Sequence, residues 1–456
     1  MAGKPHHSNG VSLRRRFLSG SSWALSGKIL SAGATLLGNA LLARLLTQEQ
    51  LGNYFLAFSV VSLISIFCIW GLNRGLVKLI ASELAKGQQA LARNGIISAF
   101  TLVLITSTIA ASTLVSPVGD WLFTTALDSP LLTPLTLFLA LWILVKTLQG
   151  LVSEAFRGFH DIRLATIFGG LVTAVLSTLL YLLIWLHQGQ ASLDQIIQLT
   201  VLATASALAV GLFLLHRRAQ ELDRDGKPSL QQVYRFGLPL MVTSIFLFGV
   251  REFHLWLLAA FQPKGEVALY GSALRLINIL VLPLTVINAV IPPMVADLYS
   301  REDRAGLQSL LQKTATLMSI PAFAVFGLIL LLGAEILALV YGEPYRAASM
   351  PFLILAAGQF LNVLAGSPGV LLTMSGHERV VMASALGAGG IGLTVSFFAS
   401  QSYGAMGAAA GYSTGIVLVN IIMWRYAYGR LSVRTHGSGL VAVRMLKGLL
   451  TRNRSG

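Results

Sequence analysis

Residues 23–63 read WALSGKILSAGATLLGNALLARLLTQEQLGNYFLAFSVVSL, two apolar runs parted by one polar turn. Each run is about the length a helix needs to cross the roughly 30 Å hydrocarbon core of a bilayer. Neither alternates apolar with polar residues as a barrel strand would, and lipid offers no partner to unpaired backbone groups, so both read as membrane-spanning helices. Yet Lys28 lies inside the first of them. A cation at that depth is costly unless it faces water, a counter-charge or an anionic ligand.

The same pattern continues along all 456 residues, of which 55% are hydrophobic and 11% charged. Twelve spans are predicted: 21–45, 52–72, 95–116, 131–152, 164–187, 194–215, 236–261, 266–298, 314–341, 348–374, 380–400 and 404–427. The expected fold is therefore an all-α polytopic membrane protein. Charge placement is an independent test of the count. Of the 33 Lys and Arg, 25 fall on every second loop or on the termini, among them Arg14–Arg16, Arg74, Lys78, Arg157, Arg217, Arg301, Arg379 and Arg430, whereas the opposite loops hold only Lys264 and Arg346. The positive-inside rule then puts both termini in the cytoplasm. It also accounts for the net charge of +15 without a nucleic-acid partner. Arg14-Arg15-Arg16 resembles an export signal, but the apolar run behind it is too long and carries Lys28, so an uncleaved first helix is expected.

The two halves correspond at an offset of about 217. LLARLLTQEQLGNY (41–54) aligns with LLAAFQPKGEVALY (257–270), Ala43 over Ala259 and Tyr54 over Tyr270, and RGFHDIR (157–163) aligns with SGHERV (375–380), Gly158 over Gly376. An even number of spans separates the copies, so they share one orientation. The expected organisation is a basic N-terminus (1–20), an N-lobe of six helices (21–215), a cytoplasmic interlobe loop (216–235) containing Gly226 and Pro228, a C-lobe of six helices (236–428) and a basic tail (429–456). Such lobes would enclose a central cavity.

Six basic residues lie outside the loops. Arg44 and Arg425 sit near helix ends, where long side chains snorkel to the headgroups. Lys28, Lys146, Arg251 and Arg275 remain as candidate anion-binding residues, Lys28 and Lys146 lying nearer the cytoplasm. Asn39, Asn278 and Asn288 share helical stripes with them and suit sugar hydroxyls. Glu252, Asp297 and Glu335 are candidate ion-coupling sites, with Glu252 also the obvious ion-pair competitor for Arg251. Pro283, Pro292 and Pro293 predict a kink in the eighth span. No phosphate loop, zinc-protease motif or metal-spaced Cys and His occurs, and Cys68 is the single cysteine, so neither an enzyme nor a metal or cofactor is expected.

The opening stretch resembles that of bacterial polysaccharide flippases, through Trp23, Gly27, Lys28, Ala43, Arg44, Leu46, Gly52 and Tyr54; Gly404-Ala405-Met406-Gly407-Ala408-Ala409 and the 157–163 turn fit as well. This resemblance implies the multidrug/oligosaccharidyl-lipid/polysaccharide exporter superfamily, with two lobes that alternate access. It further implies a bacterial inner-membrane protein that flips a polyprenyl-diphosphate-linked oligosaccharide for O-antigen, capsule or exopolysaccharide synthesis, among membrane lipids and beside polymerase and glycosyltransferases. One rival is a cation-coupled multidrug antiporter of the same superfamily, whose cavity should be rich in carboxylates. The other is a non-transporting scaffold, which needs no intramembrane charge.

Overall fold

A computed structural model describes residues 9–223 and 230–437, and every regular element among them is helical. Gly226, Pro228 and the basic residues Lys4 and Arg444–Arg454 lie outside the described residues. The chain forms two compact units, Met1–Phe246 and Leu247–Gly456.

The first unit contains α1 (Asn9–Leu45), α2 (Gln48–Ile69), α3 (Leu72–Ala85), α4 (Gln89–Val115), the single turn α5 (Pro117–Trp121), α6 (Thr136–Gly158), α7 (Ile162–Thr166), α8 (Val172–Gln188) and α9 (Leu193–Gln220). Thr47 starts α2 with a capping box to Gln50. Residues 72–85, read from sequence as loop, are helical. Leu72, Leu76 and Ile80 recur on one face and pack beside Leu151, Val152 and Phe156 of α6, and the charged face hid that stripe. Gly158 allows the approach, since a Cβ there would stand 2.8 Å from Ile80 Cβ.

Next comes α10 (Leu230–Phe261), whose C-terminal portion belongs to the second unit. It is followed by α11 (Lys264–Leu276), α12 (Asn278–Val290), α13 (Pro292–Ser300), α14 (Arg304–Tyr341), α15 (Ser349–Ala365), α16 (Pro368–Met374) and α17 (Glu378–Leu431). Eight helical segments among the described residues are long and apolar enough to cross a membrane, or nine if the bent pair α11–α12 is one span. The 54 residues of α17 greatly exceed one crossing. It turns back at Gly404, and the arms touch so closely that a Cβ on Gly392 would lie 2.7 Å from the Gly411 carbonyl oxygen.

The repeat is visible in hydrogen bonds. In the turn after α6, the Asp161 amide donates to Phe156 O and His160 is left-handed; after α16, the His377 amide donates to Leu372 O and Gly376 is left-handed. Corresponding residues differ by 216, as do Ala43 and Ala259 or Tyr54 and Tyr270. The turn register therefore pairs His160 with Gly376, two residues from the Gly158 alignment.

Two breaks separate the second unit from a plain copy. The bend of 41° between α11 and α12 falls at Ile277, ahead of Pro283. There Asn278 Nδ2 reaches Leu274 O at 3.3 Å and Arg275 O at 3.2 Å, so a side-chain amide competes for carbonyls of the preceding turn. At the second break, Gly366–Ser367 separates α15 from α16, whereas the register-related Gly150 lies within the continuous α6. Pro368 explains it: lacking an N–H, it cannot bond Leu364 O. The segment after α17 supplies the partners instead. The Gly437 amide donates to Leu364 O at 3.1 Å and Thr435 Oγ1 donates to Ala365 O at 3.0 Å. Val433 joins the core of Leu307, Leu311, Leu371 and Met423, and the Arg434 amide donates to Gln308 Oε1.

This strap carries a titratable pin. His436 Nδ1 accepts a hydrogen bond from Trp424 Nε1 at 2.9 Å, so the ring must be neutral at that atom. Burial, then the Arg434 charge, lowers its pKa below the ordinary histidine value. A lowered pKa favours the docked strap while the ring is neutral, and docking weakens as pH falls through about 6.5, the undocked value. Deuterium exchange at Gly437 should accelerate across that window, relative to pH 8 or so, and His436→Asn should remove the dependence.

Candidate functional site

In the second unit, three charges gather around two tyrosines. Arg251, on α10, has a side chain 60% exposed, and its Nε lies 3.7 Å from Oε1 of the largely buried Glu252. That distance exceeds a hydrogen bond, so the ion pair is loose. Adjacent residues on a helix project about 100° apart, and the flexible side chains close only some of that gap. Arg275, on α11, is half-buried and Nη1 donates to Gly271 O at 3.1 Å. The buried Tyr270 lies within electrostatic reach of Glu252, Arg275 and Arg251, and Tyr412 within reach of Arg251 and Glu252. Tyr270 Oη is buried with no hydrogen-bond partner among the described residues, a donor suited to a water or ligand oxygen. Two guanidinium groups, one carboxylate and this hydroxyl make a net-positive cluster of planar cationic donors and a neutral one.

The first unit holds Lys28, Asn39 and Lys146. Lys146, on α6, donates from Nζ to Ser62 Oγ at 2.6 Å and stands 4.0 Å over the Phe58 ring and 5.8 Å from that of Trp142. Ser62 Oγ donates onward to Phe58 O. Cation–π attraction and the bond to Ser62 thus help to hold the ammonium within an apolar helix. Lys28 is exposed on α1, next to Gly27, which abuts Thr166. Asn39 is buried in the same helix beside the Gly38–Thr178 contact.

Other sequence-predicted residues have structural partners. Asn278 serves the α11–α12 break already described. Asn288 Oδ1 accepts from Ser367 Oγ at 2.5 Å, steadying the α15–α16 break from α12. Asp297 pairs with Arg301 at 2.9 Å and Glu335 with Arg346 at 2.8 Å, all with exposed side chains. Exposed pairs of this kind contribute about 0–1 kcal/mol. Glu252 is the most enclosed of the three ion-coupling candidates.

Sequence reasoning passed over Phe58, Ser62, Tyr270 and Tyr412 as site residues. Tyr54 and Tyr270 marked the repeat, and that was the available signal. Tyr54 Oη lies 3.5 Å from Tyr181 Oη, which is 2.6 Å from Thr200 Oγ1, so the first copy has a hydroxyl chain where Tyr270 has none among the described residues. Glu266 was missed too: its Oε2 accepts from the Ala405 amide at 2.8 Å, capping the second arm of α17 beyond Gly404.

Apolar helices of spanning length, a doubled helical plan and cations held among membrane spans define a multi-pass membrane protein with a transporter fold. The chain belongs to the polysaccharide biosynthesis protein family, whose model matches residues 17–299. It is 22% identical over 422 residues to the probable low-salt glycan biosynthesis flippase Agl15 of Haloferax volcanii, covering 89% of this chain and 82% of that one. Its fold is that of the MOP superfamily. An inward-facing multidrug resistance transporter of the MATE family aligns with a TM-score of 0.75 at 17% identity, over 88% of this chain and 94% of the other. The lipid II flippase MurJ, in an inward closed conformation, aligns with a TM-score of 0.68 at 12% identity, over 88% and 86% of the two chains.

Proposed function

We propose that this protein is a flippase that moves a polyprenyl-diphosphate-linked oligosaccharide across the bacterial inner membrane for polysaccharide assembly. The observation that carries the reading is the sign of the charge held within apolar helices: Arg251, Arg275 and Lys146, against the largely buried Glu252, while the other two acidic candidates, Asp297 and Glu335, are exposed and paired with arginines. A diphosphate cannot enter hydrocarbon unaided, and guanidinium groups offer it bidentate, charge-assisted hydrogen bonds. In this reading Arg251 and Arg275 hold the diphosphate or an acidic sugar, Tyr270 adds a neutral donor, and Lys146 and Lys28 make contact nearer the cytoplasm. The protein alternates access between the two faces of the membrane while the polyprenyl tail stays in lipid. Family membership and the relation to Agl15 support the substrate class.

Reconstitution with a fluorescent lipid-linked oligosaccharide tests it. Arg251→Ala and Arg275→Ala should each slow flipping about tenfold or more, the effect of losing a charge-assisted hydrogen bond of roughly 1.5–3 kcal/mol, and Arg→Lys should recover some of the rate. Flipping at the wild-type rate in both alanine variants would exclude the cationic site. Drug resistance conferred on a sensitive host, without flipping, would point to the antiporter instead.

A further inference from the structure

His254 is buried in the second unit, one turn beyond Arg251, and the flippase reading leaves it without a task. α10 delivers it to both arms of α17. Its Nδ1 stands 2.6 Å from Ser396 Oγ on the first arm, and its ring meets that of Tyr412 on the second arm edge-on, with centroids 5.5 Å apart. Ser396 Oγ also lies 3.3 Å from Ala408 O, again on the second arm. From Tyr412 a polar chain continues into α15 and back: Gln359 Nε2 donates to Tyr412 Oη at 3.1 Å, Asn362 Nδ2 to Gln359 Oε1 at 2.9 Å, and Asn420 Nδ2 to Asn362 Oδ1 at 2.9 Å. A leucine would fill the same space without desolvating an imidazole, so packing does not explain the residue. The repeat shows as much. Position 38, its counterpart at the offset of 216, is a glycine packed against Thr178.

We infer that His254 is a proton-binding site whose occupancy sets the hydrogen bonding between the two arms of α17. In the neutral ring with a bare Nδ1, Ser396 Oγ–H donates to that nitrogen. A proton taken from water adds to Nδ1, forming an N–H that donates to Ser396 Oγ; the serine hydroxyl proton then turns to Ala408 O, and no covalent bond of the chain breaks. One protonation thereby exchanges an α10–α17 bond of one polarity for its reverse and adds a tie across the Gly404 turn. The titratable group that faces the ring is Tyr412 from α17, and the charged residues Arg251 and Glu252 lie within one turn of it on its own helix. Proton binding stands on this geometry alone; its use to drive translocation rests on the flippase reading.

Two measurements on the full-length protein separate these statements. In detergent or nanodiscs, deuterium exchange of the amides in 404–412, corrected for intrinsic rates, should show a step of about threefold or more between about pH 4 and pH 8 in the wild type. His254→Gln, which keeps an amide but cannot titrate, should abolish the step, and Ser396→Ala should abolish it too by removing the hydroxyl that turns to Ala408. No step in the wild type, or the same step in folded His254→Gln or Ser396→Ala, would overturn the proposal. In proteoliposomes an imposed pH gradient should accelerate wild-type flipping and not that of His254→Gln. An intact exchange step without any flipping would overturn the flippase reading and leave the proton site standing.

Discussion

Gly404→Ala is expected to destabilise the protein by about 2–4 kcal/mol and to lower its thermal midpoint in detergent by several degrees. Gly404 has φ 52° and ψ −131°, a conformation in which an L side chain meets its own backbone. Space is short as well: a Cβ would lie 2.5 Å from Glu266 Oε2, the oxygen that caps the Ala405 amide. The substitution therefore sets backbone strain against a lost cap, and relief of one aggravates the other. Pairing it with Glu266→Ala distinguishes them. If the double variant recovers about 1 kcal/mol relative to the sum of the singles, the clash with the cap contributes; strict additivity would assign the whole loss to the backbone. A midpoint unchanged by Gly404→Ala would mean that α17 does not turn in this way.

Gly366→Ala should cost a similar amount for a related reason, and the strap makes the cost divisible. Gly366 has φ 77° and ψ −131°, and a Cβ would stand 2.3 Å from Thr435 O and 2.9 Å from Ala315 Cβ. In the full chain the variant should expel the strap, seen as faster deuterium exchange at Gly437 together with a midpoint lower by several degrees. Ending the chain after Leu431 removes the Thr435 contact but bares Leu364 O and Ala365 O, at about 1–3 kcal/mol each if water does not reach them. In that shortened background Gly366→Ala should cost roughly 1–2 kcal/mol less than in the full chain. Equal costs in both backgrounds would show that the strap does not press on the α15–α16 break.

Helix type and the doubling were readable because both are written in short-range or in-register patterns. Continuous apolar runs admit one spanning structure, and Tyr54 over Tyr270 with Ala43 over Ala259 carried the offset that the turn hydrogen bonds bear out at 216. Breaks were harder. Pro283, Pro292 and Pro293 suggested a kink, and the helix does break at Ile291 before Pro292, but the 41° bend lies at Ile277, ahead of Pro283, where the Asn278 amide takes the carbonyls. Pro368, which does separate α15 from α16, was lost inside an apolar run that hydropathy treats as uniform. The site divides in the same way. That cations interrupt apolar runs can be seen from charge against hydropathy, whereas Asn288 bonds a serine 79 residues away and His254 one 142 residues away. Distances of that kind are set by packing, on which a single sequence is silent. Asp297 and Glu335, placed near span ends by the sequence, are exposed and paired there.

The strap also constrains the order of biogenesis. Leu364 O and Ala365 O must enter the membrane while the residues that will bond them, Thr435 and Gly437, are still being made some 70 residues later. At a synthesis rate of about 5–20 residues per second that interval lasts several seconds at least. Until Thr435 and Gly437 have been made, α15 ends in two acceptors that only water, lipid headgroups or the insertion machinery can satisfy. The nascent second unit is thus held open by its own sequence until the residues of the strap arrive.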